Sequence, residues 1–174
     1  TTFSQDKRLL LIGNDVSSKY TRRTPEEYGR IADYIYRTIK KKKGNYMVFF
    51  PSYLFLKKVH EAFELRTDET ITCICQESGM REEEREAFQG EKEESLVAFC
   101  VMGGIFGEGI DLKREQLIGA IIVGTGLPQI SNEREILKEY YDKKEGMGFD
   151  YAYRYPGMNK VLQAAGRVIR TAED

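Results

Sequence analysis

The sequence lacks several features that would assign it to a common class of protein. It has no tryptophan, one histidine, three cysteines and four prolines in 174 residues. No apolar run approaches the ~18–20 residues of a membrane-spanning helix, and no secretory leader is recognisable. The 27 basic and 28 acidic residues give a net charge of −1, so no overall charge attracts nucleic acid. Any contact with nucleic acid must come from a local site.

The cysteines do not indicate a disulfide framework. Their number is odd, which favours a reducing compartment. Cys73 and Cys75 are two residues apart in an apolar run, so in a strand both side chains face the same way. They lack the C-x₂-C spacing of a zinc site, and His60 lies in a separate segment. Buried thiols are therefore favoured over a metal site, although a metal site stays open.

The motifs of a complete nucleotide hydrolase are also missing. No G-x-x-x-x-G-K-[ST] phosphate loop occurs, and no D-E box of the kind that holds nucleotide-bound Mg²⁺. Gly107–Gly109 and Gly124–Gly126 each begin like a dinucleotide-binding loop but lack its third glycine. No nucleophile and base are assembled around His60 in a recognisable motif. These absences predict that the chain alone is not a complete catalyst.

What is present is the alternation of a parallel α/β sheet, in which short apolar runs are separated by amphipathic stretches. Strands are predicted at Leu9–Ile12, Tyr46–Phe50, Glu69–Cys75, Leu96–Val101 and Leu117–Val123. Helices are predicted from a Thr24 cap to Lys43, after a Ser52 cap, and at Glu82–Phe88, Ser131–Tyr141 and Met158–Ile169. The lysines that end the first helix match its dipole, or alternatively form a nucleic-acid patch. Because no linker or repeat is found, residues 1–174 are expected to form one domain, cut from a longer protein.

The last predicted helix carries two arginines one turn apart. Gln163, Gly166, Arg167 and Arg170 fall within about a 100° arc, which is one side of a helix. The apolar residues are expected on the opposite side: Met158, Val161, Leu162, Ala165, Val168 and Ile169. Two guanidiniums, an amide and a glycine suit a polyphosphate, because each guanidinium offers bidentate donors to phosphate oxygens. Pairing of the arginines with surface carboxylates is the alternative.

A glycine-rich segment, Gly103–Asp111, directly follows the predicted strand Leu96–Val101. Ligands of open α/β sheets collect at the carboxyl ends of strands, where glycine lets backbone N–H groups approach oxygen atoms. Glu108 and Asp111 can accept hydrogen bonds there from a ribose hydroxyl or an arginine. The segment is therefore predicted to have a functional role.

Three segments together resemble a known family. Gly44–Tyr53, Gly103–Leu112 and Gln163–Arg170 resemble, in order, motifs IV, V and VI of the XPD/DinG-type superfamily 2 DNA helicases. Val16–Arg23 is similar to the bacterial DinG-like branch. Where many relatives carry serine in motif V this chain has Gly107, which weakens any expectation of a hydroxyl contact there.

The resemblance implies a RecA-like domain of the P-loop NTPase type, with three layers, a mainly parallel central sheet and no phosphate loop of its own. It implies the second motor domain of an ATP-dependent DNA helicase that moves 5′ to 3′ and serves in DNA repair. Arg170 would be the arginine finger on the γ-phosphate, with Arg167 also on the phosphates and Gln163 orienting them. The remaining implied nucleotide-site residues are Glu108, Gly109, Asp111 and Gly166.

The same resemblance implies partners and cofactors. ATP with Mg²⁺ would be bound mainly by a first motor domain, which this chain lacks, together with any iron–sulphur insertion. Single-stranded DNA would follow Ser52, Tyr53, Gly103, Gly104 and Ile105. The other partner would be the N-terminal motor domain of the same protein, in a monomer located in the cytoplasm.

Alternatives remain at several of these points. Ser52 can simply cap a helix, and Tyr20, Tyr151 and Tyr153 can serve packing rather than base stacking. A non-catalytic RecA-like module that binds nucleic acid or protein is the competing function. A small-molecule kinase is a third reading, disfavoured by the missing phosphate loop.

Overall fold

A four-stranded parallel sheet lies at the centre of the computed structural model, which describes residues 12–13, 16, 19–76, 95–103, 117–124 and 130–166. The strands are β1 (Asn45–Phe50), β2 (Ile71–Cys75), β3 (Ser95–Val101) and β4 (Leu117–Ile122). Their spatial order is β2-β3-β1-β4, and every neighbouring pair is parallel. The predicted α/β class with a parallel sheet is confirmed.

Strand β1 is buried on both faces, as its unbroken apolar run predicts. Val48 pairs with Phe99 of β3 on one side and with Ile121 of β4 on the other. Successive side chains alternate between two separate cores. Tyr46, Val48 and Phe50 belong to one core, and Met47 and Phe49 to the other.

Two helices cover the first face of the sheet. Helix α1 (Pro25–Lys41) starts at Thr24, whose hydroxyl accepts a hydrogen bond from the Glu27 N–H. Helix α2 (Tyr53–Glu64) starts at Ser52 in the same way. Both helices bury an apolar stripe against the sheet, and the largest side chains there are Ile35, Ile39, Phe55, Leu56 and Phe63. Burying each of these contributes roughly 1.5–3 kcal/mol.

The opposite face is covered by helix α4 (Tyr155–Ala165), whose Ala164 and Val161 pack against Met47, Phe49 and Cys100. Helices therefore lie on both faces, which confirms the predicted three layers. Helix α3 (Asn132–Glu145) starts at a Ser131 cap and ends at Gly146, which adopts the left-handed conformation (φ 68°). None of the residues of α3 is buried.

The C-terminal helices differ from the prediction. Helix α3 continues to Glu145 rather than stopping at Tyr141. The stretch before α4 is a turn of π-helix (Asp150–Arg154) that leads directly into a helix starting at Tyr155, not at Met158. The cause is tertiary, because Arg134 of α3 donates a hydrogen bond to the Ala152 carbonyl at 2.7 Å.

Only part of the predicted apolar side of the last helix is buried. Gly157 and Ala164 are buried and Val161 is partly buried, whereas Met158 (53%) and Leu162 (61%) are exposed. Helical periodicity identifies an apolar arc but does not identify which part of it the sheet covers.

Some predicted elements lie outside the described residues: the helix Glu82–Phe88, and the strand Leu9–Ile12 except for Ile12, which is exposed and not in a strand. The predicted strands at Glu69 and Leu117 are each shortened, to Ile71–Cys75 and Leu117–Ile122. Among the described helices, none has both the length and the apolarity needed to cross a membrane.

Candidate functional site at the carboxyl edge of the sheet

The parallel strands bring three predicted segments to one edge of the sheet. Ser52 follows β1 after one intervening residue, Gly103 follows β3, and Gly124 follows β4. Two backbone hydrogen bonds tie these exits together: Met102 N–H donates to the Phe50 carbonyl and Val123 N–H to the Phe49 carbonyl, both at 2.8 Å. Ligands of open α/β sheets bind at this edge.

The N-terminus of α2 lies at this edge and presents backbone N–H donors. The Ser52 hydroxyl accepts from the Phe55 N–H at 3.2 Å, so the expected N-cap is confirmed. Helix geometry leaves the N–H groups of Tyr53 and Leu54 without a partner inside the helix. Both side chains are exposed, at 49% and 64%, and the first turn carries no acidic residue. Such an end attracts an anion, because the N–H groups and the helix dipole both favour negative charge.

Two basic side chains lie at this edge, one against the first turn of α2 and one over Gly103. The Arg23 guanidinium carbon is 4.9 Å from the centroid of the Phe55 ring, in the first turn of α2. Lys160 of α4 extends over Gly103, with its Cε 3.8 Å from where a Cβ on that glycine would lie. Gly103 has a φ of 74°, a conformation that glycine adopts without strain. The edge thus combines backbone donors with positive charge.

Lys160 was missed by the sequence analysis, although a signal was available. It stands three residues before Gln163 and seven before Arg167, so it extends the predicted polar arc of the last helix by one turn toward the sheet edge. Arg23 belongs to the segment that resembles the DinG-like branch, but only the fold places it against α2.

The described part of motif VI is accessible. Gln163 and Gly166 are both exposed, on the side of α4 away from its buried stripe. Gly166 caps the helix, and its N–H donates to the Leu162 carbonyl at 2.9 Å. The other predicted site residues, Gly104, Ile105, Glu108, Gly109, Asp111, Arg167 and Arg170, lie outside the described residues.

The tyrosines divide between packing and exposure. Tyr153 is 5% exposed, and its hydroxyl donates to Glu135, so packing is its role. Hydrogen bonding to that carboxylate raises the pKa of Tyr153. The Tyr151 ring stacks on Tyr141 with centroids 4.3 Å apart. For Tyr20 the structure describes only the backbone, in a short 3₁₀ turn.

Comparison with known proteins decides the family. The sequence model of the family described as the helicase C-terminal domain matches residues 35–174, which is most of the chain. The chain belongs to the helicase C-terminal domain family.

Relatives of this helicase C-terminal domain are XPD proteins. The ATP-dependent DNA helicase XPD of Sulfolobus acidocaldarius is 28% identical over 167 residues, covering 94% of this chain and 29% of that protein. Solved structures of XPD in its apo form and of the XPD helicase both share 26% identity, with TM-scores of 0.70 and 0.71. They cover 88% and 90% of this chain and 31% and 28% of their own. The XPD/DinG-type resemblance and the RecA-like fold are confirmed, while the bacterial DinG-like branch stays a prediction.

The XPD relatives are much longer than this chain. The chain spans less than a third of the length of each of them. The structure of S. tokodaii Xpd4, at 18% identity and a TM-score of 0.64, supports the fold alone.

A second group of side chains comes together on the sheet face that α1 and α2 cover, although its members lie in separate segments of the sequence. The separate segments that carry His60 and the two strand cysteines meet in space, and the ligand atoms of His60, Cys73 and Cys75 all lie within 4.8 Å of one another. Hydrogen bonding with Cys73, then with His60, lowers the pKa of the Cys75 thiol. Hydrogen bonding with Cys75 raises the pKa of Cys73 and of His60. All three cysteines are free, and only Cys100 is fully buried.

Proposed function

We propose that this chain is the second motor domain of an ATP-dependent DNA helicase, and that it supplies the arginine finger and part of the single-stranded DNA track. The observation that carries the proposal is the family match, which runs from residue 35 to residue 174 and includes the whole of motif VI. The named activity of the relative from Sulfolobus acidocaldarius supports it.

In this proposal motif VI acts on the nucleotide. Arg170 contacts the γ-phosphate, Arg167 contacts the phosphates, and Gln163 orients them beside Gly166. The exposure of Gln163 and Gly166 supports a role at an interface, since neither is occupied in the core. A guanidinium there stabilises charge that develops in phosphoryl transfer, an effect worth ~10³–10⁵ in rate in other nucleotide hydrolases.

The nucleotide itself, ATP with Mg²⁺, would be held mainly by an N-terminal motor domain of the same protein. The absence of a phosphate loop from this sequence supports that division. The acidic and glycine positions of motif V, which are Glu108, Gly109 and Asp111, would couple the nucleotide state to DNA. We expect this chain alone not to hydrolyse ATP at the rate of a complete motor.

The DNA track would run along the carboxyl edge of the sheet. The N–H groups of Tyr53 and Leu54, the Ser52 cap and the Gly103 turn would contact the sugar-phosphate backbone, with Gly104 and Ile105 continuing the path. Phosphate contacts of this kind position a strand without reading its sequence. Movement from 5′ to 3′, a monomeric state, a role in DNA repair and a cytoplasmic location stay predictions from the resemblance.

The decisive experiment uses the full-length protein and measures DNA-stimulated ATP hydrolysis. Arg170→Ala should lower kcat by about 10³-fold or more while changing ATP binding little, because the finger acts mainly in the transition state. Arg170→Lys should restore little, because an ammonium does not reproduce the guanidinium fork.

Arg154→Ala is the matched control. Arg154 is the exposed last residue of the π-helical turn, directly before α4, and pairs with Asp150 at 2.7 Å, so its loss should leave turnover unchanged. Near-normal turnover of Arg170→Ala would refute the assignment of motif VI. It would favour the non-catalytic module instead.

A further inference from the structure

A compact group of metal-ligating side chains joins α2 to β2, on the sheet face that α1 and α2 cover. His60 comes from α2, and Cys73 and Cys75 come from β2. One ligand atom from each residue lies within 4.8 Å of the other two. All three residues are partly exposed, so an ion from solvent can reach them.

The fold explains why these residues meet. The two cysteines are two apart in a strand, so both point to the face that α2 covers. The neighbouring helix position, Val59, is fully buried, and His60 lies at the margin of that contact. Its ring and that of Phe99 pack in a T-shaped arrangement with centroids 5.7 Å apart, which limits the orientations that the imidazole can take.

A carboxylate also lies within hydrogen-bonding distance of the imidazole. His60 Nε2 lies 3.0 Å from Glu64 Oε1, one helical turn further along α2. Metal-bound histidines almost always give their second ring nitrogen to a carboxylate, a carbonyl or water, which fixes the ring and raises its basicity. With Nε2 next to Glu64, Nδ1 would be the nitrogen left for an ion, and Glu64 would orient the ring.

We propose that His60, Cys73 and Cys75 bind one Zn²⁺ ion, or another divalent transition metal that prefers thiolate and imidazole ligands. Two thiolates and one imidazole form a ligand set that zinc uses together with a fourth ligand such as water. Tetrahedral bonds of ~2.0–2.3 Å place ligand atoms about 3.5–3.8 Å apart. Separations of up to 4.8 Å therefore need a contraction of at most about 1.0–1.3 Å, within the range of small side-chain rotations.

A disulfide between the same cysteines fits the geometry less well. Residues two apart in a strand have Cα atoms about 6.6 Å apart, near the upper limit for a bridge. The strand is also held in register with β3 at both cysteines, opposite Val97 and Phe99. Shortening the Cα distance would disturb this ladder, whereas binding an ion does not require it.

The bound ion would tie α2 to β2. In the described sheet β2 has a strand neighbour only in β3. The cross-link would add a second attachment through the helix that begins at Ser52. Metal binding should therefore raise the thermal stability of the folded chain, because the site does not exist in the unfolded state.

The test is a cobalt titration of the full chain, reduced and freed of metal. Co²⁺ should bind with one equivalent per chain and give a thiolate-to-cobalt charge-transfer band, and Zn²⁺ should displace it and raise Tm. Cys73→Ala, Cys75→Ala and His60→Ala should each weaken binding at least tenfold, and the two cysteine variants should also reduce the band. Glu64→Gln should weaken binding by roughly tenfold, as for other groups that orient a ligand.

Cys100→Ala is the matched control, because it also removes one thiol but from the opposite face of the sheet. It should keep the band, the stoichiometry and the zinc-dependent rise in Tm. Circular dichroism of each metal-free variant separates loss of binding from loss of folding, and Cys75→Ser provides a second, more conservative variant. The absence of a charge-transfer band from the wild-type chain, or its equal loss in Cys100→Ala, would overturn the proposal.

Discussion

Ser52 has two roles that a pair of substitutions can separate. Its hydroxyl caps α2 through the Phe55 N–H at 3.2 Å, and it lies at the edge where we propose that DNA binds. Ser52→Ala removes the cap, which costs about 1 kcal/mol of unfolding free energy. For a chain of this size that cost should lower Tm by about 2–4 °C.

Ser52→Asp keeps the cap, because aspartate is as good an N-cap as serine and its charge suits the helix dipole. Stability should therefore stay near that of the wild type. A carboxylate about 4 Å from a DNA phosphate repels it by ~1 kcal/mol even at the dielectric constant of water. Binding of single-stranded DNA should thus weaken by roughly fivefold or more, and less so at high salt.

The assay is fluorescence anisotropy of a labelled oligothymidine with the full-length protein at two or more salt concentrations. Ser131 provides the matched control, since its hydroxyl caps α3 through the Arg134 N–H at 3.3 Å, and none of the residues of α3 is buried. Ser131→Ala should lower Tm by a similar amount, and Ser131→Asp should leave DNA binding unchanged. Equal DNA affinity of Ser52→Asp and wild type would refute the placement of the strand at α2.

Two further predictions concern stability. Gly148→Ala should lower the free energy of unfolding by about 3 kcal/mol, the upper end for overpacking, because the added Cβ would overlap a backbone carbonyl of α3. Gly146 is left-handed but has open space around it, so Gly146→Ala should lower the free energy of unfolding by about 1 kcal/mol. Urea unfolding that ranked the two variants in the opposite order would contradict this. Hydrogen bonds from Thr70, then from Tyr36, hold the pKa of the Asp68 carboxyl below its usual range. Asp68 therefore stabilises the fold above the usual carboxyl pKa of about 4, and the stability gap between wild type and Asp68→Asn should narrow as the pH falls from about 5 toward 2; a gap that does not change with pH would count against this role.

Local patterns were enough to predict most of the elements that carry the candidate site. Thr24 and Ser52 each start a helix because a hydroxyl satisfies an N–H that the helix leaves open. The wholly apolar run of β1 predicted a strand buried on both faces, since only a central parallel strand buries successive side chains. The family resemblance rested on segments in the right order, and the family match over residues 35–174 confirms it.

The C-terminal helices depended on contacts between distant residues. The π-helical turn at Asp150–Arg154 is held by Arg134, eighteen residues before the carbonyl that it contacts. Local periodicity does not predict such a bond. The apolar Met158 and Leu162, predicted on the side of the helix opposite the arginines, are exposed because the sheet covers only part of the apolar arc.

The group formed by His60, Cys73 and Cys75 shows most clearly which features depend on the tertiary structure. From spacing alone the histidine and the cysteines belong to different segments, and buried thiols were the favoured interpretation. The sequence determined that both cysteines face one way, since alternation in a strand is a local property. Only the packing of α2 against that face decided that an imidazole lies beside them. Burial of the apolar stripe of the helix sets that packing, and the stripe excludes His60 itself.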